Sequence, residues 1–518
     1  MSALREQLAL LPAYLTGHLE LSLLAIAIAT GASIPLGVLA TRVAWLEGPV
    51  LAIAGVVQTI PGLALLAAVV PLLAALGFQS IGFLPAIIGL TLYGVLPILR
   101  NTVAGIDSVD PALKEAARGV GMTDGQQLRR VELPLAMPVI VAGIRTATVW
   151  TVGMATLSTP VGATSLGNYI FAGLQTRNYT AVLVGSVAAA ALALVLDGLV
   201  HGLESGLRRR RRGMVALALA SLVVLYGYTA WSLARDARGA RARPIVVGAK
   251  TFTEQYVVAE VLAGWIERTT GLPTRVAPSL GSTVAFDALR NGDIDVYVDY
   301  TGTLWTTILR RQEPPASREA AIDQIGRFLA SQGGMVLVAP LGFENAYALA
   351  MRDRDAEARG LRTIGDLARV SAELSMGGDY EFFERPEWRS LERAYGLRFG
   401  SRRTMDPSLL YQAVALGNVD AISAYTTDGR IAALHLRVLD DDRHAIPPYD
   451  AVILASARLA REHPDAIAAL ARLQGAIDAR AMREANREVD EDGRTPRQVA
   501  SDIVARIAGA TPEPARGD

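Results

Sequence analysis

Apolar runs long enough to cross a membrane are confined to the first 235 of the 518 residues. A helix needs about 20 apolar residues to cross the hydrocarbon core of a bilayer. Six stretches approach or meet this length: Leu19–Ala40, Val50–Leu76, Phe83–Ile98, Leu135–Leu157, Thr180–Leu203 and Met214–Leu233. Residues 244–518 contain no comparable run and have the mixed pattern of a soluble α/β domain. The sequence therefore predicts an α-helical membrane domain of about six spans in residues 1–213 and 214–243, the latter holding the sixth span and a linker, followed by an α/β domain.

The charge balance and the residue types present exclude several classes of function. The chain carries 50 basic and 50 acidic residues, so a nucleic-acid partner has no electrostatic basis. The absence of cysteine excludes disulfides, thiolate metal sites and a cysteine nucleophile. The five histidines show no metal-ligand spacing, and no Ser-His-Asp pattern is present. We therefore predict that the chain is not an enzyme and holds no metal.

Positive charge at the ends of the apolar spans predicts their orientation, because Lys and Arg are retained on the cytoplasmic side. Threading six spans with the N-terminus outside places every basic cluster in the cytoplasm and everything after Leu233 outside. These clusters are Arg42, Arg100, the loop 107–134 and the run Arg208–Arg212. We therefore expect a multi-pass protein of the cytoplasmic (inner) membrane whose residues 244–518 lie on the extracytoplasmic side.

Two ionisable residues, Arg145 and Asp197, fall in or near the predicted spans. Charges at membrane depth mark functional sites by default. Arg145 follows the basic loop closely and can snorkel or pair within the helix bundle. A structural role is therefore favoured over a transport role for both residues.

The loop before the fourth span carries a long, well-defined motif. It contains Glu115-Ala116-Ala117, then three residues, Gly121, nine residues, and Val131-Glu132-Leu133-Pro134. Asp110 and Pro111 predict the start of one helix, and Thr123 predicts the start of a second that runs to about Leu133. The motif resembles the EAA loop of permease subunits of ATP-binding-cassette importers, with Val131 in place of the usual Ile. The resemblance implies that this bent helical pair docks on an ATPase subunit through Glu115, Ala116, Ala117 and Gly121.

ATP hydrolysis cannot be assigned to this chain. It has only two lysines, Lys114 and Lys250, and neither lies in the G-x-x-x-x-G-K-[ST] loop that cradles phosphates. If the chain is an importer subunit, ATP must therefore bind to a separate ATP-binding-cassette partner, and we expect no cofactor on this chain. The resemblance also implies that two copies, most simply a homodimer, form the pathway.

The soluble half begins with alternating strands and helices. Residues 244–249 read as a buried strand, Thr251 to Glu254 as a capping box at the start of a helix, and Ile294 to Tyr300 as a period-2 strand. This alternation predicts a parallel sheet with ligands at the carboxyl ends of its strands. The carboxylates Asp293, Asp295 and Asp299 are expected to be solvated at a strand edge.

Several motifs of this half resemble the extracellular binding proteins of choline, glycine-betaine and carnitine importers. They are GAKTFTEQY (248–256), GST (281–283), GDIDVYVDYTGT (292–303), GFENAYALA (342–350), AYTTDGRI (424–431) and IPPYD (446–450). The resemblance implies a two-lobed binding domain of the periplasmic type over residues 244–518. Lobe 1 would span about 244–345 and 446–513 and lobe 2 about 346–445, with crossings near 342–347 and 425–449. The whole chain then resembles a permease fused to its own binding protein.

The resemblance implies that tyrosines determine the specificity for the ligand. A trimethylammonium group has charge but no N–H, so aromatic faces rather than hydrogen bonds must hold it. The matched motifs point to Tyr300, Tyr347, Tyr425 and Tyr449 as the cage. Gln255 and Thr303 are the expected polar contacts.

Two alternatives to import of a quaternary-ammonium osmoprotectant stay open at this stage. One is import of another polar solute, such as an amino acid, on the same scaffold. The other is a membrane-anchored solute receptor or sensor, which needs no ATPase partner. The sequence does not choose among choline, glycine betaine and carnitine, because all three share the cationic head.

Overall fold

The structure, a computed structural model, describes residues 2–176, 178–239, 243–311, 315, 317–379 and 381–510. The chain changes from an all-helical unit to an α/β unit at Arg243. The helices of the first unit are α1 (Ser2–Arg42), α2 (Ala44–Thr59), α3 (Gly62–Ala75), α4 (Phe83–Asp107), α5 (Pro111–Gly119), α6 (Asp124–Gln127), α7 (Leu133–Ala155), α8 (Gly167–Gln175), α9 (Tyr179–Arg208) and α10 (Arg212–Gly239).

Within the described ranges, five helices are long and apolar enough to cross a membrane, or six if a bent pair counts as one span. The bent pair is α2 and α3, which meet at an angle of 103°. The predicted span Val50–Leu76 is therefore two helices with a sharp bend between them rather than one continuous helix. The break falls at Ile60, whose backbone is extended, and at Pro61, which has no N–H to continue the helical hydrogen bonding.

Two other helices extend beyond their predicted ends. α4 passes through Pro97 and continues to Asp107. The second helix of the loop does not end at Leu133, because a π-helical turn, Leu128–Glu132, joins α6 directly to α7. The predicted starts are confirmed: the Asp110 carboxylate accepts the Ala112 N–H, and Thr123 and Gln126 form a capping box. The second helix of the loop and the following span thus form one continuous helical segment, Asp124–Val161.

Small residues allow the helices of this unit to approach closely. α4 packs between α1 and α7, and a Cβ added to Gly143 would lie 2.8 Å from the Pro97 carbonyl oxygen of α4. Arg145 pairs within the bundle, one of the two roles expected for it: its Nε and Nη2 donate to the two carboxylate oxygens of Asp197 at 2.6 and 2.9 Å. This bidentate pair joins α7 to α9.

The second unit contains two five-stranded sheets. The strands are β1 (Ile245–Lys250), β2 (Thr274–Leu280), β3 (Val296–Tyr300), β4 (Val336–Glu344), β5 (Tyr347–Arg352), β6 (Ser375–Gly378), β7 (Ser401–Thr404), β8 (Ala421–Tyr425), β9 (Leu436–Leu439) and β10 (Asp450–Ala455). The orders are β2-β1-β3-β10-β4 and β7-β6-β8-β5-β9. The chain passes from the first sheet to the second between Glu344 and Tyr347 and returns between Leu439 and Asp450.

Helices pack on both sheets and complete the two lobes. They are α11 (Thr253–Thr270), α12 (Ser282–Asn291), α13 (Thr301–Thr303), α14 (Arg318–Ser331), α15 (Asp353–Arg359), α16 (Ile364–Val370), α17 (Pro386–Tyr395), α18 (Pro407–Ala415), α19 (Arg430–Ala433), α20 (Ala457–Glu462), α21 (Pro464–Ala471), α22 (Ala479–Asp490) and α23 (Pro496–Ala510). The first sheet is mixed rather than parallel. β1 pairs in parallel with β2 and β3, but β10 is antiparallel to β3 and β4 because the chain returns from the second lobe in the opposite direction.

Two acidic residues on β3 and just before it are interior, so the expectation of solvated carboxylates is wrong for both. Asp295 and Asp299 are each 1% exposed. Lys250 forms an ion pair with Asp299, and Arg458 forms one with Asp295, which also accepts the Val246 N–H at 2.9 Å. Each carboxylate is buried because a cation from a neighbouring element compensates it.

Candidate functional site

Tyr347 and Tyr425 face each other at the point where the chain enters the second lobe. They are directly opposed residues of the antiparallel pair β5 and β8. Their ring centroids are 4.9 Å apart, and their hydroxyl oxygens lie 3.1 Å apart. The adjacent crossing segment thus positions both rings at the boundary between the lobes.

Phe252 extends this ring cluster toward the first lobe. It precedes α11 and stacks on Tyr425 at 5.6 Å and on Tyr300, the last residue of β3, at 6.1 Å between centroids. Sequence reasoning missed Phe252, because a single Phe before a helix gives no signal of a ligand site. Tyr449 completes the cluster, edge-on to Tyr347 at 6.0 Å. The structure therefore brings all four predicted tyrosines together, with Phe252 as a fifth ring.

A buried cation lies against this ring cluster. The Arg385 guanidinium carbon is 5.2 Å from the centroid of Tyr347, within the range of a cation–π interaction. Its Nη2 is 3.5 Å from Thr303 Oγ1, and its Nε donates to Glu387 at 3.2 Å. Sequence reasoning also missed Arg385, since nothing in its local pattern separates it from the many surface arginines.

The predicted polar contacts have different surroundings. Thr303 is buried next to Arg385. Gln255 is completely buried; its side-chain amide donates to the Tyr300 hydroxyl at 3.0 Å, and its carbonyl accepts the Lys250 N–H at 3.3 Å. Gln255 thus holds Tyr300 in place.

The acids around the cluster have perturbed pKa values. Burial raises the pKa of Glu387, but the charge of Arg385 and hydrogen bonds from Tyr449 and Thr306 outweigh it, and the pKa lies below its ordinary value. Burial raises the pKa of Asp379, whose carboxylate lies 3.3 Å from the Tyr425 hydroxyl. Burial also raises the pKa of Tyr425 well above its usual range, so the phenol stays neutral. The site can therefore offer neutral ring faces beside the buried guanidinium of Arg385; Lys250, which lies 5.4 Å from the centroid of the Tyr300 ring, is already paired with Asp299.

The capping box predicted at the start of α11 is not formed. The N-cap is Phe252, whose side chain cannot accept a hydrogen bond, and Glu254 turns into the interior. There its carboxylate accepts hydrogen bonds from Tyr300, Asn345, Thr427 and Asn486. Burial raises the pKa of Glu254, although these hydrogen bonds oppose the shift.

The rings leave little free space between them. The cavity bounded by Phe252, Glu254 and Tyr425 holds only about 30 Å³. A larger cavity of about 550 Å³ lies between the lobes, where Glu387 and Thr306 form part of its wall. Its rim carries four arginines: Arg310, Arg311, Arg389 and Arg393. A ligand in the ring cluster would require the rings to separate.

In the helical unit, three of the four residues assigned to ATPase coupling are exposed. Glu115, Ala116 and Gly121 lie on the surface, whereas Ala117 is buried against its own unit. Gly121 has a φ of +81°, a conformation that disfavours any side chain. The neighbouring Val120 is 75% exposed, an apolar side chain on a polar segment. The loop thus presents an exposed surface on which a partner can dock.

A helical membrane unit with an exposed coupling loop, followed by a two-lobed domain with a ring cluster between its lobes, defines a solute importer fused to its binding protein. Comparison with known families agrees. The family described as "Substrate binding domain of ABC-type glycine betaine transport system" matches residues 243–506. The family described as "Binding-protein-dependent transport system inner membrane component" matches residues 33–209. The chain belongs to the ATP-binding-cassette importers in which an inner-membrane permease is fused to a binding domain of the glycine-betaine type.

Individual relatives cover either the whole chain or one half. The ergothioneine transport permease/ergothioneine binding protein EgtU of Helicobacter pylori (strain G27) is 32% identical over 464 residues, 87% of this chain and 82% of the relative. The choline transport system permease protein OpuBB of Bacillus subtilis (strain 168) is 44% identical over 180 residues, 35% of this chain and 80% of that protein. The carnitine transport binding protein OpuCC of Listeria monocytogenes is 30% identical over 272 residues, 52% of this chain and 88% of that protein.

Among solved structures, a glycine betaine/carnitine/choline ABC transporter protein matches 51% of this chain and 98% of its own. It is 30% identical with a TM-score of 0.44. The two family matches make the chain a multi-pass inner-membrane transport subunit and not an enzyme, and an importer permease implies an ATPase partner.

Proposed function

We propose that the chain is the permease and binding subunit of an ATP-driven importer for trimethylammonium betaines, solutes that carry both a quaternary ammonium and a carboxylate. The observation that supports this most directly is the buried guanidinium of Arg385 on the Tyr347 ring, at the edge of the five-ring cluster. Ring faces attract the ammonium through cation–π interactions. The guanidinium matches a carboxylate by charge-assisted hydrogen bonds.

The same arrangement favours betaines over choline. Choline has an uncharged hydroxyl where a betaine has a carboxylate, so it would lack the charge-assisted hydrogen bond that a betaine can add to Arg385, beside those that the guanidinium makes to Glu381 and Glu387. Thr303, 3.5 Å from the guanidinium, can contribute a further hydrogen bond to the carboxylate. An amino acid, the alternative left open by the sequence, has N–H donors that neutral ring faces satisfy poorly.

Ergothioneine stands beside glycine betaine and carnitine among the candidate substrates. It is itself a trimethylammonium betaine, and the Helicobacter pylori relative that shares the fused architecture over 87% of this chain is named for it. Glycine betaine, carnitine and ergothioneine thus share the two groups that the ring cluster and Arg385 would recognise.

The remaining parts of the transport cycle are proposed from the same family. ATP binds to the separate ATPase subunit, which docks through Glu115, Ala116 and Gly121, and this chain holds no cofactor. Two copies form the pathway as a homodimer, with the binding domains on the extracytoplasmic side. Co-purification with an ATP-hydrolysing subunit would separate the importer from a receptor or sensor, which predicts no such partner.

A ligand panel on the full-length protein in detergent tests the substrate class. Calorimetric titration with ergothioneine, glycine betaine, carnitine, choline and histidine is expected to show binding of the betaines and at least about tenfold weaker binding of choline, since a charge-assisted hydrogen bond contributes about 1.5–3 kcal/mol. Tighter binding of histidine than of every betaine would refute the proposal.

The variant Arg385→Gln separates recognition of the carboxylate from recognition of the quaternary ammonium. It is expected to weaken betaine binding and leave choline binding nearly unchanged, so that the preference disappears. Arg402→Gln is the matched control, because Arg402 is a half-exposed arginine stacked on Phe383 and Trp388, outside the cluster. An equal loss of betaine and choline in Arg385→Gln would assign Arg385 to structure alone.

A further inference from the structure

One buried carboxylate ties the ring cluster to the joint between the lobes. Glu254 lies in the first turn of α11 and is 2% exposed. Its Oε1 accepts from the Tyr300 hydroxyl at 2.5 Å and from Asn345 Nδ2 at 2.9 Å. Its Oε2 accepts from the Thr427 hydroxyl and from Asn486 Nδ2, the latter at 3.3 Å. Two carboxylate oxygens offer about four acceptor sites, so these four donors use them fully.

The donors come from four separate parts of the binding domain. Tyr300 ends β3 in the first lobe, and Asn345 lies in the crossing between β4 and β5. Thr427 follows β8 in the second lobe, and Asn486 is on α22, which follows β10. One carboxylate therefore bonds a ring of the cluster, the first crossing and a residue of the opposite lobe at the same time.

The backbone around these donors strengthens the connection. The Asn345 N–H donates to the Tyr449 carbonyl at 3.0 Å, which joins the first crossing to the end of the second. The Thr426 N–H donates to the Ala346 carbonyl at 3.1 Å. Asn486 Nδ2 also donates to the Thr427 carbonyl at 2.9 Å. The first crossing therefore contains a donor to Glu254, Asn345, and the end of the second crossing is joined to that residue by a backbone hydrogen bond.

A change of angle between the lobes must displace Thr427 relative to α11. That displacement would leave a buried carboxylate oxygen without one of its donors, which is unfavourable because nothing then compensates its lost hydration. Displacement of the Tyr300 ring would disturb the other oxygen in the same way. Because both oxygens belong to one rigid carboxylate on one helix, the two movements are mechanically linked.

We propose that Glu254 is a positioning residue that couples the ring cluster, through Tyr300, to the opening and closing of the two lobes. This inference rests on the proposed function only in taking the ring cluster as the ligand site. Glu254 itself does not bind ligand. It holds the ligand-free domain in a narrow range of lobe angles, and it transmits a shift of Tyr300 to Thr427.

The chain has no cysteine, so label positions can be introduced without removing any native residue. Arg268→Cys on α11 and Gln412→Cys on α18 place spin labels on exposed positions of opposite lobes. Distances are measured by pulsed electron paramagnetic resonance on the full-length protein without ligand. Glu254→Gln keeps the size of the side chain, but its amide nitrogen cannot accept from Thr427 and Asn486. Glu260→Gln, on the same helix and partly buried, is the matched control.

We expect a distance distribution at least about twice as broad in Glu254→Gln as in the parent and in Glu260→Gln. Identical distributions in all three proteins would overturn the proposal. Thermal unfolding of each protein excludes the trivial case in which Glu254→Gln fails to fold. If it does not fold, Thr427→Val, which removes one donor only, is measured in its place, and an unbroadened distribution again overturns the proposal.

A second measurement uses glycine betaine affinity. Tyr300→Phe and Thr427→Val are expected to be non-additive by at least about threefold, as for residues that share one network, and additive in a Glu254→Gln background. Additivity in both backgrounds would refute the coupling. If no betaine binds the parent protein, the proposed substrate is wrong, while the ligand-free distances still decide the role of Glu254.

Discussion

Binding of a cation by the ring cluster predicts how much the affinity depends on the positive charge of the ligand. Replacing the quaternary nitrogen of glycine betaine by carbon gives tert-butylacetate, which keeps the shape and the carboxylate but loses the cation. A desolvated cation–π contact is worth about 2 kcal/mol or more, and an exposed one about 0.5–1 kcal/mol. Tyr347 and Tyr425, 4.9 Å apart, and the stacked Phe252 lie close enough to share one cation after the rings separate.

Two such contacts correspond to about 1–4 kcal/mol, so tert-butylacetate is expected to bind about 5- to 1,000-fold more weakly than glycine betaine. The hydrophobic effect acts in the opposite direction, because the neutral group is less well hydrated and is more favourably buried, so the ratio from cation–π contacts alone is an upper estimate. Calorimetric titration of the full-length protein with both compounds measures the ratio. Equal affinities would show that the rings act as apolar packing alone and would refute the cage.

Variants of Tyr425 test whether its ring face or its hydroxyl gives the preference for the cationic ligand. Tyr425→Leu is expected to weaken glycine betaine binding about tenfold, with the tert-butylacetate affinity changed much less. Tyr425→Phe keeps the ring face and removes the hydroxyl near Asp379, and is expected to keep most of the preference for the cation. A loss of preference in Tyr425→Phe as large as in Tyr425→Leu would assign the effect to the hydroxyl instead.

Three further predictions follow from other contacts. Glu115→Lys, an exposed change on the coupling loop, should abolish co-purification with the ATPase subunit and leave betaine affinity unchanged; retention of the ATPase would contradict the assigned surface. Arg145→Ala should destabilise the detergent-solubilised protein by about 1.5–3 kcal/mol, because the partly exposed Asp197 loses its bidentate partner, whereas the double variant with Asp197→Asn should recover part of the thermal stability. The pKa of Glu387 beside Arg385 is lowered from 4.5 in the folded protein. The contribution of Glu387 to stability is therefore present above pH 4.5 and is lost as the pH falls through the lower, folded-state pKa. Glu387→Gln should make thermal stability less dependent on pH below 4.5, and an unchanged pH profile would contradict this.

The periodicity of the sequence predicts the position and type of most helices and strands. It does not predict where a long apolar run bends or where two helices join. The helical starts at Asp110 and Thr123 depend on short-range capping and could be predicted. The 103° bend between α2 and α3 could not, since a hydropathy average does not register where Pro61 interrupts a long apolar run. The same pattern also hid the continuity of the loop with α7, because Pro134 lies in the first turn, where a helix tolerates proline.

The candidate site also contains some residues that the sequence predicts and others that it does not. The tyrosines could be assigned through the resemblance to binding proteins, because each lies in a matched motif. Arg385 and Phe252 could not, since their significance comes from residues distant in sequence: Arg385 stacks on Tyr347, and Phe252 stacks on Tyr300 and Tyr425. The sequence spacing predicts a local cap for Glu254, whereas in the structure its carboxylate accepts from four donors in four parts of the domain.

The central claim is that the ring cluster holds a betaine between the two lobes. Electron cryomicroscopy of the full-length protein, saturated with the betaine that binds most tightly in the panel, tests it directly. The account predicts the quaternary nitrogen within about 6 Å of the ring centroids of Tyr347 and Tyr425, with the carboxylate on Arg385. Ligand density in the arginine-rimmed cavity, with the rings still in contact, would contradict it.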